Sequence, residues 1–205
     1  MSTPAVNRTQ AIRLPDVWDP DSIAGYLMST DCPVFSADDF GSLAWRAGRN
    51  CAPRNLLYAW MHRKISRETL TASIGEVWSM AEWPLEFLPR QWWLDLFTAA
   101  GYTHDGKAAS RPDALVRVYR GSTHRLRRRW SWTADRERAQ WFADRYAILN
   151  PGATAVYVTD APPSALLAYI GPEAGRGEDE YVVNTTGLKI RPTEHVGAPQ
   201  RAPAA

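Results

Sequence analysis

Apolar and polar positions follow two rhythms along this chain, and the change between them divides it. Through the first half, apolar residues recur at spacings of three and four, the period of a helix with one buried face. Asp38 and Asp39 precede a short helix through Trp45, and Arg54–Lys64 carries a second. Ser66 is placed to cap a third, in which Leu70, Ile74, Val77, Trp78 and Ala81 form one stripe. Pro84 and Pro89 bracket a turn, and Arg90–Ala100 makes a further helix ended by Gly101.

After Gly106 the rhythm turns β-rich. Leu115–Arg120, Ala155–Thr159, Leu166–Ile170 and Glu180–Asn184 read as strands. One helix, Ala134–Leu149, interrupts them, with Ala139, Phe142, Ala143 and Tyr146 on one stripe and Asn150-Pro151-Gly152 as its stop. Thr133 reads as its N-cap, with Asp135 in the first turn. Helices first and strands later predict an α+β protein rather than a doubly wound parallel sheet. The expected organisation is a loose leader over 1–15, a helical lobe over 16–105, a β-rich core over 106–195 packed as one unit with the lobe, and a loose tail over 196–205.

The chain has 205 residues and a formal net charge of +2, which argues against a protein held on nucleic acid or membrane by bulk charge alone. That average conceals a strong asymmetry. Residues 111–130 hold seven arginines against one aspartate, while the segments on either side are each slightly acidic. No run approaches the ~20 apolar residues of a membrane span. Met1–Pro15 is polar, which predicts no secretory leader and a cytoplasmic protein. Cys32 and Cys51 then read as reduced packing residues, and the four scattered histidines predict no metal site. Of the ten tryptophans, seven fall in the helical half and read as core.

No phosphate-binding glycine loop and no nucleophile elbow is present, which excludes the well-signposted kinases, dehydrogenases and hydrolases. Three short segments of the β-rich half carry candidate chemistry instead. In Val118-Tyr119-Arg120-Gly121, strand alternation puts Val116, Val118 and Arg120 on one face, so an apolar face ends in a guanidinium suited to a phosphate. In Trp130-Ser131-Trp132-Thr133, a small hydroxyl stands between two large rings. In Gly177-Glu178-Asp179-Glu180, strand spacing points Glu178 and Glu180 the same way, roughly 6–7 Å apart. Glu180 adjoins the apolar Tyr181-Val182-Val183, a position from which a carboxylate can stabilise a cation. Taken one at a time, the first reads better as a strand end and the third as a solvated loop tip, while the second reads equally well as a core edge.

In this order and spacing the three segments resemble the Arg-Ser-Glu class of mono-ADP-ribosyltransferases, which is characterised by a strand-end Arg, a Ser-Thr-Ser-like segment opening a helix, and Glu-x-Glu at a later strand. The counterparts are Arg120, Ser131-Trp132-Thr133 and Glu178-Asp179-Glu180, and the resemblance covers about residues 111–192. The phrase SWTADRERAQWFA also resembles small bacterial and phage proteins with this signature. Trp132 departs from the family pattern, with a ring where a small residue is usual.

The resemblance implies a helical lobe followed by a split, mainly antiparallel β-sheet core around an NAD-binding cleft. It implies cleavage of NAD as co-substrate and transfer of ADP-ribose to a macromolecular acceptor, an arginine side chain of a protein being favoured and a nucleic acid being the other target. It assigns Arg120 to the NAD phosphates or ribose, Gly121 to close approach of the nicotinamide, and Ser131 to the ribose. Thr133 and Trp132 fall to the cofactor-binding segment, Glu180 to stabilising the ribose cation, and Glu178 to orienting the acceptor. Trp130, Trp141 and Tyr181 stand as further stacking candidates. Such proteins act as toxins or phage effectors in bacterial or infected cells, with a cognate antitoxin or inhibitor as a further partner. Three other readings use the same residues. One is an NAD glycohydrolase with water as acceptor. The second is a nucleic-acid-binding module gripping phosphates with Arg125, Arg127, Arg128 and Arg129. The third is a degenerate interaction domain whose cleft Trp132 blocks.

Overall fold

A computed structural model describes residues 20–149, 154–174, 177 and 179–193. The chain separates into two compact units that meet in sequence between Ala100 and Gly101. The expected leader over 1–15 and tail over 196–205 lie outside the described residues.

The first unit is helical: α1 (Pro20–Met28), α2 (Ala37–Ala47), α3 (Ala52–Met61), α4 (Arg67–Met80), α5 (Pro84–Phe87) and α6 (Arg90–Ala100). Ser36 caps α2 and Ser66 caps α4 as expected for the latter, each hydroxyl accepting from the amide three residues on, Asp39 at 3.2 Å and Thr69 at 3.1 Å. Gly101, at φ 83°, follows the last turn of α6. The apolar stripe of α4 is buried throughout, with Leu70, Ile74, Val77 and Trp78 at most 2% exposed. Trp78 meets Trp93 edge-on at 5.0 Å, and Phe97 lies 5.8 Å from both rings. The expectation that the tryptophans of this half are core fails at Trp45, which is 77% exposed on the far side of α2, and at the half-exposed Trp92. Helical spacing put both rings on their helices correctly; it did not say which faces found a partner. Cys32 is buried and both cysteines are free thiols.

The second unit holds the strands β1 (Thr103–His104), β2 (Lys107–Ala108), β3 (Val116–Thr123), β4 (Ser131–Trp132), β5 (Thr154–Ala161), β6 (Leu166–Ile170), β7 (Glu180–Val183) and β8 (Arg191–Pro192). The helix α7 (Arg136–Leu149) lies between β4 and β5 in sequence. They form two sheets, a five-stranded one in the order β2-β1-β6-β7-β4 and a three-stranded one in the order β3-β5-β8. All pairings are antiparallel except β1 with β6. The protein is therefore α+β, with a mixed sheet and an antiparallel one. The first of these begins at β1, ahead of the composition change at Gly106. Its hairpin has Asp105-Gly106 at the turn with φ of 50° and 73°, the dipeptide and geometry of a two-residue hairpin loop.

Among the described residues, one isolated bridge ties the two sheets together. Tyr119 of β3 and Thr133, just past β4, exchange both main-chain hydrogen bonds, at 2.7 and 2.9 Å. Between the sheets lies a core of Val118, Trp132, Tyr157, Leu166 and Val183. On the outer face of β3 and β5, Ala139 and Ala143 of α7 pack against Val156 and Tyr119. Small residues on the helix let it come close to the strand, and Gly121 on β3 lets it come closer still.

Candidate functional site

Arg120 stands near the middle of β3, opposite the buried Tyr157 of β5 and on the face that carries Val118. Its Nη1 donates to the main-chain carbonyl of Ser131 at 2.6 Å, and its Nε to that of Leu126 at 3.2 Å. The guanidinium is thus fixed between the turn after β3 and the start of β4. Burial pulls it down to about 10, against the opposing pull of Tyr146 and Glu180, while Arg129 reinforces the lowering. It remains a cation at neutral pH, held in a place where charge is weakly screened.

Ser131 and Val182 are direct partners across β4 and β7, so their side chains share one face of the sheet. Glu180, two residues before Val182 on β7, shares that face and is only 5% exposed. Arg138, in the first turn of α7, donates to the carbonyl of Gly177 at 3.4 Å and so holds the loop that leads into Glu180. Arg120 is thus bonded to the main chain of Ser131 and feels the charge of Glu180, sixty positions further along the sequence. Glu178 lies outside the described residues.

The remaining expected site residues are used differently. Trp132 alternates to the opposite face from Ser131, is 2% exposed, and donates its indole N–H to the Arg129 carbonyl at 2.8 Å. It belongs to the core between the sheets, so neither a stacking role nor a blocked cleft follows from its size. Trp130 is equally buried, and its carbonyl accepts from the Val183 amide at 2.8 Å. Gly121 faces α7: a Cβ there would overlap the Ala139 carbonyl oxygen and the Ala143 amide nitrogen. The close approach that requires glycine is to a helix of the same chain rather than to a ligand. Thr133 is not the cap of α7. Asp135 is, accepting from the amides of Glu137 at 2.8 Å and Arg138 at 3.2 Å, while the Thr133 hydroxyl accepts from the Asp135 amide. Asp caps as well as Thr, and helix start signals two residues apart are not separable by pattern alone.

The arginine cluster is largely a structural fastening. Arg127 donates to the His124 carbonyl at 2.6 Å, and Arg128 to the carbonyls of Thr185 at 3.2 Å and Leu188 at 3.4 Å. Thr185 returns a hydroxyl bond to the Arg128 carbonyl at 2.7 Å. Tyr146 is the neighbour of Arg120 that the sequence did not single out for this purpose; its place on the inner stripe of α7 is the signal that brings it there. Among the described residues, no group of three or more His, Cys, Asp or Glu is placed to hold a metal ion. No described helix is long and apolar enough to cross a membrane.

No family model matches this chain, and neither a curated protein nor a solved structure matches it.

Proposed function

We propose that this chain is an NAD-dependent mono-ADP-ribosyltransferase acting on a protein target. The observation that carries the reading is the Arg120 guanidinium, fixed on the Ser131 carbonyl within electrostatic reach of the buried Glu180. The split into two sheets joined beside these residues agrees with the fold that the family resemblance implies.

The donor set fits NAD in its essentials: one fixed cation, one hydroxyl and one buried carboxylate. When bound, NAD supplies an N-glycosidic bond whose cleavage leaves positive charge on a ribose. Glu180 is the group to stabilise that charge, and its burial strengthens the attraction relative to water. Arg120 holds an anionic or hydroxyl-bearing part of the co-substrate, its plane preset by two carbonyls. The Ser131 hydroxyl shares the Glu180 face and orients what binds there. Glu178 is the residue proposed to orient the acceptor.

The test is nicotinamide release from NAD by the wild type, Glu180→Gln and Arg120→Lys, with folding checked by circular dichroism. Glu180→Gln is expected to lose on the order of 100-fold or more. Full turnover by that variant overturns the assignment. Protein-linked ADP-ribose identifies a transferase, and free ADP-ribose with no labelled protein identifies the glycohydrolase.

A further inference from the structure

A row of rings crosses the five-stranded sheet at one level. His104 pairs directly with Tyr169, Tyr169 with Tyr181, and Tyr181 with Trp132, so all four side chains share the face opposite Glu180. The ring centroids of His104 and Tyr169 are 4.7 Å apart and near perpendicular, and those of Tyr169 and Tyr181 are also 4.7 Å apart. Exposure rises along the row: Trp132 is buried, both tyrosines are half-buried, and the His104 side chain is 55% exposed. The row thus leaves the core between the sheets and surfaces at its His104 end.

Two aspartates flank the surfaced part. Asp105 accepts from the Gly171 amide at 2.7 Å and lies 3.4 Å from His104 Nε2. Asp179 lies close enough to the Tyr169 hydroxyl for its carboxylate to push that phenol upward. Both hold φ near +50°, a region that short polar side chains tolerate. Gly171 has no side chain to crowd them: a Cβ there would stand 3.2 Å from the Asp105 carboxylate and 3.4 Å from the Tyr169 ring. Each carboxylate has acceptor capacity beyond its described bonds. The phenols report the resulting field, since burial and then Asp179 push both Tyr169 and Tyr181 upward.

We infer that the Tyr169–Tyr181–His104 row, with Asp105 and Asp179, is a docking site for an arginine side chain exposed on a partner protein. A guanidinium is flat, weakly hydrated and able to stack on a ring while forking onto a carboxylate, which suits both features of the site better than an ammonium does. Lys107, directly opposite His104, brings one cation to the exposed end of the row, and the two carboxylates outnumber it. A nucleotide would bring its base to the rings but its phosphates to those carboxylates, so charge complementarity selects the cation. Binding here is a docking contact, because the site lies on the other face of the sheet from Glu180. It stands whether or not the chain cleaves NAD.

N-acetyl-arginine amide, titrated into the full chain by calorimetry and by tyrosine ring NMR signals, tests the inference. Asn keeps the backbone conformation at both positions, so Asp105→Asn and Asp179→Asn remove charge without removing shape. Each is expected to weaken binding about tenfold, and the neutral citrulline amide to bind at least tenfold less tightly than the arginine compound. Equal binding by both Asn variants, equal binding of citrulline, or tighter binding of AMP at the same tyrosine signals overturns it, the last in favour of a nucleobase platform. Glu180→Gln is expected to retain arginine binding while losing nicotinamide release, and Asp105→Asn the reverse. The two proposals therefore fail separately.

Discussion

Arg120 and Ser131 are joined through the main chain: the guanidinium Nη1 donates to the Ser131 carbonyl oxygen at 2.6 Å, not to its hydroxyl. The fastening that orients the cation is therefore independent of the side chain at position 131. The hydroxyl, on the Glu180 face, is left to act elsewhere.

Substitution separates these two contributions. Ser131→Ala is expected to change stability by no more than about 0.5 kcal/mol, because the carbonyl survives. Any loss of nicotinamide release in that variant then belongs to the hydroxyl. Trp132→Ala, one residue on, empties part of the core and is expected to cost ~3–5 kcal/mol. Urea denaturation of the two variants checks both values; similar losses in the two would contradict the alternation of faces along β4.

Gly121 and Gly41 make opposite predictions for the same substitution. Gly121→Ala drives a methyl group into the backbone of α7 and is expected to cost ~3 kcal/mol or to prevent folding. Gly41→Ala, in α2 with nothing within 4 Å of the new methyl, is expected to stabilise by ~0.5–1 kcal/mol. Thermal melts of both, alone and combined, measure the difference. A tolerated alanine at 121 would mean that α7 does not rest on β3 as described.

Alkaline pH should weaken the second unit. Burial pushes the Tyr102 phenol up to about 12, with Tyr181 adding to the shift and Arg111 opposing it. Tyr169 and Tyr181 are also raised. Between pH 10 and about 12 the unfolded chain releases the Tyr102 proton while the folded chain keeps it. The folded state then binds more protons, so stability falls as pH rises across that window and is level below it. Tyrosinate absorbance should show a late-titrating group whose ionisation coincides with loss of circular dichroism. Tyr102→Phe should shift that loss to higher pH.

Much of this architecture is legible in the residues themselves. The stripes of α4 and α6 and the boundaries of β6 follow from periodicity and stop signals, because burial on one face is what periodicity records. Of the candidate residues, the order of the three segments made legible that Arg120 lies beside the Ser131 main chain and within electrostatic reach of Glu180. The places of Trp132 and Gly121 were not legible, each for its own reason. A two-residue strand such as β4 has too little pattern to reveal which neighbour takes the core face, and a glycine does not show what approaches it. The short strands β1, β2 and β8 escape notice likewise, since two residues cannot establish an alternation. The fates of Arg127 and Arg128 were hidden because their partners are main-chain carbonyls, which every residue possesses.

The bridge between Tyr119 and Thr133 has a consequence for how this chain can vary. It closes the stretch from 120 to 132 into a loop knotted by two hydrogen bonds, with Arg120 and Ser131 just inside the knot on either side. Their separation is set at the knot and not by the length of what hangs from it. Residues added beside the exposed Arg125 would keep that main-chain spacing but would displace the Leu126 carbonyl that takes the Arg120 Nε. Between its ends the segment is held again by Arg128 on the carbonyls of Thr185 and Leu188, so the knot and this fastening together set its course.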